Sequence, residues 1–355
     1  MSVFIIAEAG VNHNGERDLA FDLIDAAADA GTDAVKFQTF NASELASANA
    51  PKAAYQTKTT EAAETQLEML GRLELPHALH YELVDHCAKR EIDFLSAPFD
   101  AISLAFLTND LKLSTLKIPS GEITNGPLLL AAGESGCDII LSTGMSTLED
   151  VEIALGVLAF GFTNSNAAPS RDAFKAAFTS DAGCTALKEK VTLLQCTTEY
   201  PAPYTDANLK AMGTLRDAFG VCVGFSDHTP GIAAPIAAAA LGADIVEKHF
   251  TLDRSLPGPD HQASLEPTEL KDMVDGIRAV EAALGDGIKQ PRPSEIKNID
   301  IARKSLITLK SVKAGEPFTE ENLGNKRPGT GTSPMNYWRM LGQPAERDFT
   351  AGEQL

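Results

Sequence analysis

Two short segments of this chain put an imidazole directly after an apolar run. GFSDHTPG, residues 224–231, carries Asp227 and His228, and EKHF, residues 247–250, carries Lys248 and His249. The histidines are 249 − 228 = 21 residues apart, one strand-plus-helix unit, so on adjacent parallel strands their side chains converge. Two imidazoles suit a divalent transition metal whose remaining positions go to water and substrate oxygens. A general-base histidine beside a structural one is the other reading of that spacing. PSGE (119–122) and STGMS (142–146) also follow apolar runs and open helices. Free N–H groups at such turns, the hydroxyls of Ser120 and Ser142, and nearby Lys36 and Lys117 make a cradle for phosphate. Small residues also serve plain turn chemistry. Cations clustered in a chain of net charge −19 nevertheless point to a bound anion.

The elements that must position these groups follow from the apolar pattern. Eight short runs rich in β-branched residues recur: VFIIAE, DAVKFQT, IDFLSAP, STLKIPSG, DIILSTG, VTLLQCT, VCVGFSD and DIVEKHF. Ala-rich amphipathic segments lie between them, with Gly near their ends. Alternation of this kind predicts an α/β fold with a parallel sheet covered by helices, and eight units are the count of a (β/α)8 TIM barrel, with a doubly wound open sheet as the rival. Catalytic groups of such barrels stand at the carboxyl ends of strands. Read in order, the ends carry Glu8; Lys36 and Gln38; Ser96; Lys117, Ser120 and Glu122; Ser142 and Thr143; Thr197 through Tyr200; Ser226 through His228; Lys248 and His249. Buried charge is costly unless paired, so so many ionisable ends point to function.

The barrel is expected over residues 1–285, a Pro- and Lys-rich linker over 286–300, and a small β-rich domain over 301–355 in which RKSLITLKSV, KRPGTGTSP and DFTAGEQL read as short strands and turns. Residues 39–75 follow the second strand on the catalytic face and read as a lid, whereas the insertion at 161–190 falls on the opposite face and receives no catalytic role. The acidic balance, 49 Asp and Glu against 30 Lys and Arg, argues against nucleic acid and membrane surfaces as partners. Five cysteines without a CxxC pair, and an N-terminal apolar run that soon meets Glu8, fit a reduced cytoplasmic enzyme without a secretion signal.

Taken together, IIAEAGVNHNG, DAVKFQTF, KIPSGEITN, ILSTGMST, CTTEYPAPYTDANL, GFSDHT, EKHFTLD, PGPDH and KRPGTGTSP resemble the sialic acid synthase family nearly end to end. The resemblance implies a TIM barrel followed by a small antifreeze-protein-like (SAF) domain, in a domain-swapped homodimer. It implies a transferase that condenses phosphoenolpyruvate with N-acetylmannosamine and water to N-acetylneuraminate and phosphate. The alternative within the family is legionaminic acid synthesis from 2,4-diacetamido-2,4,6-trideoxymannose. Carried over by motif, the metal ligands fall on His228 and His249, with Mn2+ expected and Mg2+ or Co2+ as alternatives. Phosphoenolpyruvate contacts fall on Lys36, Lys117, Ser120, Ser142 and Ser226. Sugar contacts fall on Glu122, Tyr200 and Asp260, with Arg327 reaching in from the partner chain, and the base is Glu122 or Glu8. Ala97 stands where many relatives have Thr, and Thr197 and Thr198 where relatives place one Asn.

Overall fold

A computed structural model describes residues 2–53, 56–59, 64–163 and 167–355. Residues 54, 55 and 60–63 of the expected lid, and 164–166 of the expected insertion, lie outside the described residues. Eight parallel strands form one sheet: β1 (Phe4–Gly10), β2 (Ala34–Thr39), β3 (Asp93–Pro98), β4 (Thr115–Ile118), β5 (Asp138–Ser142), β6 (Val191–Cys196), β7 (Cys222–Asp227) and β8 (Ile245–His249). Their order is β3-β2-β1-β8-β7-β6-β5-β4, and β3 and β4 lie side by side at the seam without a ladder between them. The sheet therefore curls into the (β/α)8 barrel that the alternation predicts, with helices outside it.

Side-chain alternation along each strand sorts the residues into two layers. Val35 and Phe37, both fully buried, join the apolar layer between strands and helices, so Lys36 between them must face the barrel interior. Ile6, Ala34, Leu95, Ile140, Leu194 and Ile245 form a separate small cluster that plugs the amino-terminal half of that interior. The helices follow from the same chemistry. Arg17–Ala30 buries Ala20, Leu23, Ile24, Ala27 and Ala30 on one face and stops at Gly31, whose φ of 82° only glycine adopts easily. Thr147 and Asp150 form a reciprocal cap that starts Leu148–Phe162 at the catalytic end of β5.

In the NHNG segment, Asn12 Nδ2 donates to the Phe250 carbonyl (2.8 Å) and the Ser264 hydroxyl (3.0 Å), tying the β1 loop to the chain after β8. The buried rings of His13, His80 and His261 belong to the same supporting network, with Thr39 Oγ1 2.9 Å from His80 Nε2 and Thr251 Oγ1 2.7 Å from His261 Nδ1. Within 161–190 the described part forms helices Arg171–Thr179 and Asp181–Lys190, stacked outside Leu148–Phe162 on the approach to β6.

Residues 286–355 form a second compact unit, with 1–285 the first. Here β9 (Ser305–Thr308) pairs antiparallel with β10 (Leu323–Lys326) over a core of Leu306, Val312, Phe318, Leu323 and Ala345. The stretch read as a linker holds the single-turn helix Pro293–Ile296, which Pro293 can open because the first helical position needs no N–H donor, and a second single turn, Ile299–Ala302, begins at its end after Asn298. As expected of short strands and turns, KRPGTGTSP runs from the last residue of β10 through a series of bends, and DFTAGEQL contributes isolated bridges such as Val312–Phe349.

The buried histidines generate a prediction. Burial lowers the pKa of His80 from 6.5 to about 4, so the native state keeps the ring neutral while the unfolded chain takes up a proton below pH 6.5. Stability owed to His80 is therefore full above pH 6.5 and is lost as pH falls towards 4. His80→Gln is expected to be less stable than the parent above that window, its deficit narrowing by up to about 1.4 kcal/mol per pH unit within it. Denaturant unfolding of both proteins across this range checks it, and a pH-independent deficit refutes it.

Candidate active site

The carboxyl-terminal half of the barrel interior is filled by charge. Lys36 Nζ lies 2.5 Å from Glu8 Oε2 and 3.7 Å from Glu247 Oε2, and Lys117 Nζ lies 3.5 Å from Glu247 Oε1. Ser226 donates a hydrogen bond of 2.8 Å to Glu247, and all of these side chains are buried. The two carboxyls differ in protonation. Burial raises the Glu8 pKa to about 7, only partly opposed by Lys36. At Glu247 the same burial is outweighed by Lys117 and Lys36, which hold its pKa at about 2. Burial also lowers Lys117, whereas Glu247 and Glu8 outweigh it at Lys36, which is raised. Carboxyls pushed apart in this way mark an acid/base partner and a fixed counter-ion.

The two imidazoles border the same cavity, with ring centroids 5.4 Å apart. His228 Nδ1 lies 2.6 Å from the Thr197 carbonyl, a contact that fixes the ring and leaves Nε2 as the lone-pair nitrogen when the ring is neutral. Burial opposes protonation of His228, but the Cys196 thiol, 3.8 Å from Nδ1, and the Thr197 carbonyl outweigh it and raise the pKa. His249 is lowered well below 6.5 by burial and by the charges of His228 and Lys36, and its buried Nδ1 has no hydrogen-bond partner. An orphaned buried nitrogen beside a second anchored imidazole fits a metal ion. Among the described residues no three His, Cys, Asp or Glu side chains converge on one point, so such an ion would rest on these two rings plus substrate or water oxygens.

Eleven of the site residues assigned by motif line one cavity of about 310 Å³, together with Gln38: Glu8, Lys36, Lys117, Ser120, Glu122, Ser142, Tyr200, Ser226, His228, His249 and Asp260. The Tyr200 ring lies 4.1 Å from that of His228, and burial raises Asp260 to about 6. Burial also raises Glu122, which accepts a 2.7 Å hydrogen bond from Asn125. Arg327 belongs to the second compact unit, where its Nε donates to the Ala302 carbonyl. The STGMS turn supplies a backbone donor as well as Ser142. Gly144 N–H donates to Ser120 Oγ (3.0 Å), and a Cβ there would stand 2.4 Å from Thr198 Oγ1, so only glycine permits this approach. At the two departures, Ala97 lines the cavity while Ser96 turns outward to Thr39, and Thr198 faces the cavity with an unpartnered buried hydroxyl while Thr197 bonds Asp206.

Glu247 is the residue that reading the strand ends missed. It stands two residues before His249, which puts both on the same strand face, and that parity was the available signal. Asp227 and Lys248, by contrast, point out of the barrel as a fully buried ion pair of 2.6 Å, with Lys248 also donating to the Thr229 carbonyl.

A (β/α)8 barrel with paired ionisable groups at the carboxyl ends of its strands defines the class: a barrel enzyme with its active site at the mouth. Comparison with known proteins makes this specific. Residues 23–289 match the NeuB family and residues 303–355 the SAF domain, so the chain belongs to the NeuB family. It is 50% identical over 351 residues to N,N'-diacetyllegionaminic acid synthase of Campylobacter jejuni, covering 99% of this chain and 98% of that one. It is 42% identical to the protein of the same name from Legionella pneumophila, over 100% and 94% of the two chains. Among solved structures, N-acetylneuraminic acid (sialic acid) synthetase from Leptospira borgpetersenii, in complex with citrate, matches at 33% identity with a TM-score of 0.67, over 84% of this chain and 90% of that one. No helix among the described residues is long and apolar enough to cross a membrane.

Removing the cation of the outward pair strands a buried carboxylate. Lys248→Met is expected to destabilise the barrel by about 3–5 kcal/mol, and the double variant Lys248→Met with Asp227→Leu to recover most of that. Denaturant unfolding of both variants decides it; a fully stable Lys248→Met would show that the pair contributes nothing.

Proposed function

We propose that this enzyme condenses phosphoenolpyruvate with 2,4-diacetamido-2,4,6-trideoxymannose and water to give N,N'-diacetyllegionaminic acid and inorganic phosphate. The observation that carries the reaction class is the single buried cavity in which two lysines share Glu247, Glu8 titrates near 7, and two imidazoles stand side by side. Support for the sugar comes from the relatives: those at 50% and 42% identity carry the legionaminic name, and the 33% structural match carries the sialic one. The N-acetylneuraminate product expected first from the sequence thus holds at family level, and the legionaminic alternative fits the chain better.

In this reading Lys36, Lys117, the hydroxyls of Ser120, Ser142 and Ser226 and the turn at Gly144 hold the carboxylate and phosphate of phosphoenolpyruvate, aligned by charge-assisted hydrogen bonds. Glu122, Tyr200 and Asp260 orient the sugar so that C1 faces C3 of phosphoenolpyruvate. Bond formation between these carbons leaves positive charge at C2, where Glu247, ionised and fixed, supplies the compensating field. Water adds at C2 and gives up one proton to Glu8, matching the proton that the C1 oxygen takes up to become a hydroxyl; the C2–O bond to phosphate then breaks, the remaining C2 hydroxyl proton leaves with the phosphate, and the keto group is left. A carboxyl titrating near 7 suits that exchange because both its forms are populated at neutral pH. The two-imidazole set fits a divalent ion, Mn2+ before Mg2+ or Co2+, held by His228 and His249, and such an ion supplies Lewis-acid polarisation of the sugar aldehyde oxygen. A homodimer with exchanged small domains, in which Arg327 serves the partner's site, and a cytoplasmic location complete the proposal; free thiols at Cys87, Cys137, Cys184, Cys196 and Cys222 fit a reducing compartment.

Phosphate release from phosphoenolpyruvate, measured with each sugar, tests the reaction. The diacetamido sugar is expected to give a kcat/KM at least about tenfold above that of N-acetylmannosamine, and the reverse order would assign the sialic activity instead. The metal assignment is tested separately. His228→Ala and His249→Ala are each expected to lower kcat/KM by roughly a hundredfold or more and to abolish tight Mn2+ binding in calorimetry. Full activity of the parent after exhaustive chelation would remove the metal from the scheme.

A further inference from the structure

The cavity has two unlike halves. Its ionic groups sit on the strands themselves, but one side is closed by Val11, Leu45, Met69, Leu70, Leu73 and Phe99. These residues come after the carboxyl ends of β1, β2 and β3, so they stand above the floor, at the mouth. Val11, Met69 and Leu73 are buried in a cluster distinct from the barrel core, while Leu45, Leu70 and Phe99 pack on it and remain half-buried, open to the cavity. The wall is thus a preformed apolar surface supported from behind. Gln56 and Gln66 line the same cavity.

We infer that this wall is the specificity element for the far end of the sugar: it receives the methyl of the C4 acetamido group and the C6 methyl, and disfavours hydroxyls at those positions. The inference rests on the reading above, which brings C1 to the floor because the new bond forms there. C4 to C6 must then project away from the floor, towards the rim where the wall stands. A 2,4-diacetamido-2,4,6-trideoxyhexose offers methyl groups at that end. N-acetylmannosamine offers hydroxyls, which would leave water for hydrocarbon. The amide of Gln66 is of the type that can pair with an acetamido N–H and carbonyl at the rim. A methyl group gained or lost in an apolar pocket changes kcat/KM by roughly tenfold to a hundredfold, and rejection of an added hydroxyl has a similar ceiling.

The test uses the full-length enzyme and a series of sugars: 2,4-diacetamido-2,4,6-trideoxymannose, its 6-hydroxy analogue, 2-acetamido-2,6-dideoxymannose and N-acetylmannosamine. Phosphate release is measured for the parent and for Leu45→Gln and Leu70→Gln, which alter half-buried positions. Each replaced group is expected to lower the parent's kcat/KM by roughly tenfold or more, and each variant to narrow the preference by roughly tenfold through the sugar KM, with the KM for phosphoenolpyruvate unchanged. A parent that prefers N-acetylmannosamine, or uses none of the sugars, overturns the proposed function and this inference with it. A parent that prefers the diacetamido sugar while folded variants keep its full preference overturns the inference alone. Should the glutamine variants not fold, the parent's series decides: no loss with the 6-hydroxy analogue refutes the wall's role.

Discussion

Two lysines and two glutamates share the upper interior of a barrel whose lower interior is hydrocarbon, and all four are buried. Ions so placed are tolerable only if each is neutralised within a few ångströms, and this requirement organises the rest of the site. Glu247 bridges Lys36 and Lys117 and stays ionised, so it belongs to the permanent framework. Glu8 is paired with Lys36, accepts a 3.2 Å hydrogen bond from Gln38 and titrates at about 7, so the charge of the group changes by one proton around neutral pH. A carboxylate or phosphate arriving at Lys36 competes with Glu8 for the same ammonium. The same contact therefore couples anion binding to proton release or uptake, in a chain whose overall charge of −19 repels anions at longer range.

The alternation of side chains extends this constraint to the outer layer. A strand that points Glu247 and His249 inward must point Lys248 outward, and the neighbour that points Ser226 and His228 inward must point Asp227 outward. Strands β7 and β8 lie in register, with Asp227 opposite Lys248. Their outward charges meet as a pair and satisfy one another, with Thr229 N–H donating to Asp227 (2.9 Å) and the Thr229 carbonyl accepting from Lys248. The pair thus ties down the backbone immediately flanking both imidazoles, so the separation of the histidine rings is set from behind by the outward face of the same two strands.

This geometry explains what the sequence reveals and what it hides. The barrel and the inward histidines, lysines and serines are legible because apolar runs end in polar residues at regular intervals. Parity is not legible from a list of strand ends: such a list includes Ser96 and Lys248, which face outward, and omits Glu247, which faces the cavity. The apolar wall is hidden for another reason. Val11, Leu45, Met69 and Phe99 lie in three separate post-strand segments with no shared period, and only the closing of the barrel brings them to one side of one cavity. The helix at Pro293 escapes notice because proline breaks a helix in its interior but begins one at its first position.

Division between floor and rim also accounts for how one family can serve several nine-carbon acids. Every member that joins phosphoenolpyruvate to an aldehyde needs the same anion cradle, proton acceptor and electrophile at C1, and these groups sit on strands whose positions the ladder and the buried charges fix together. A change at any one of them unbalances the others. The sugars differ only beyond C1, where the chain is in loops and short helices that pack on their own small cluster and carry no share of the charge balance. On the proposed reading, substitution there would alter the surface offered to C4 and C6 without disturbing the ionic floor, so specificity could drift while the chemistry is held constant.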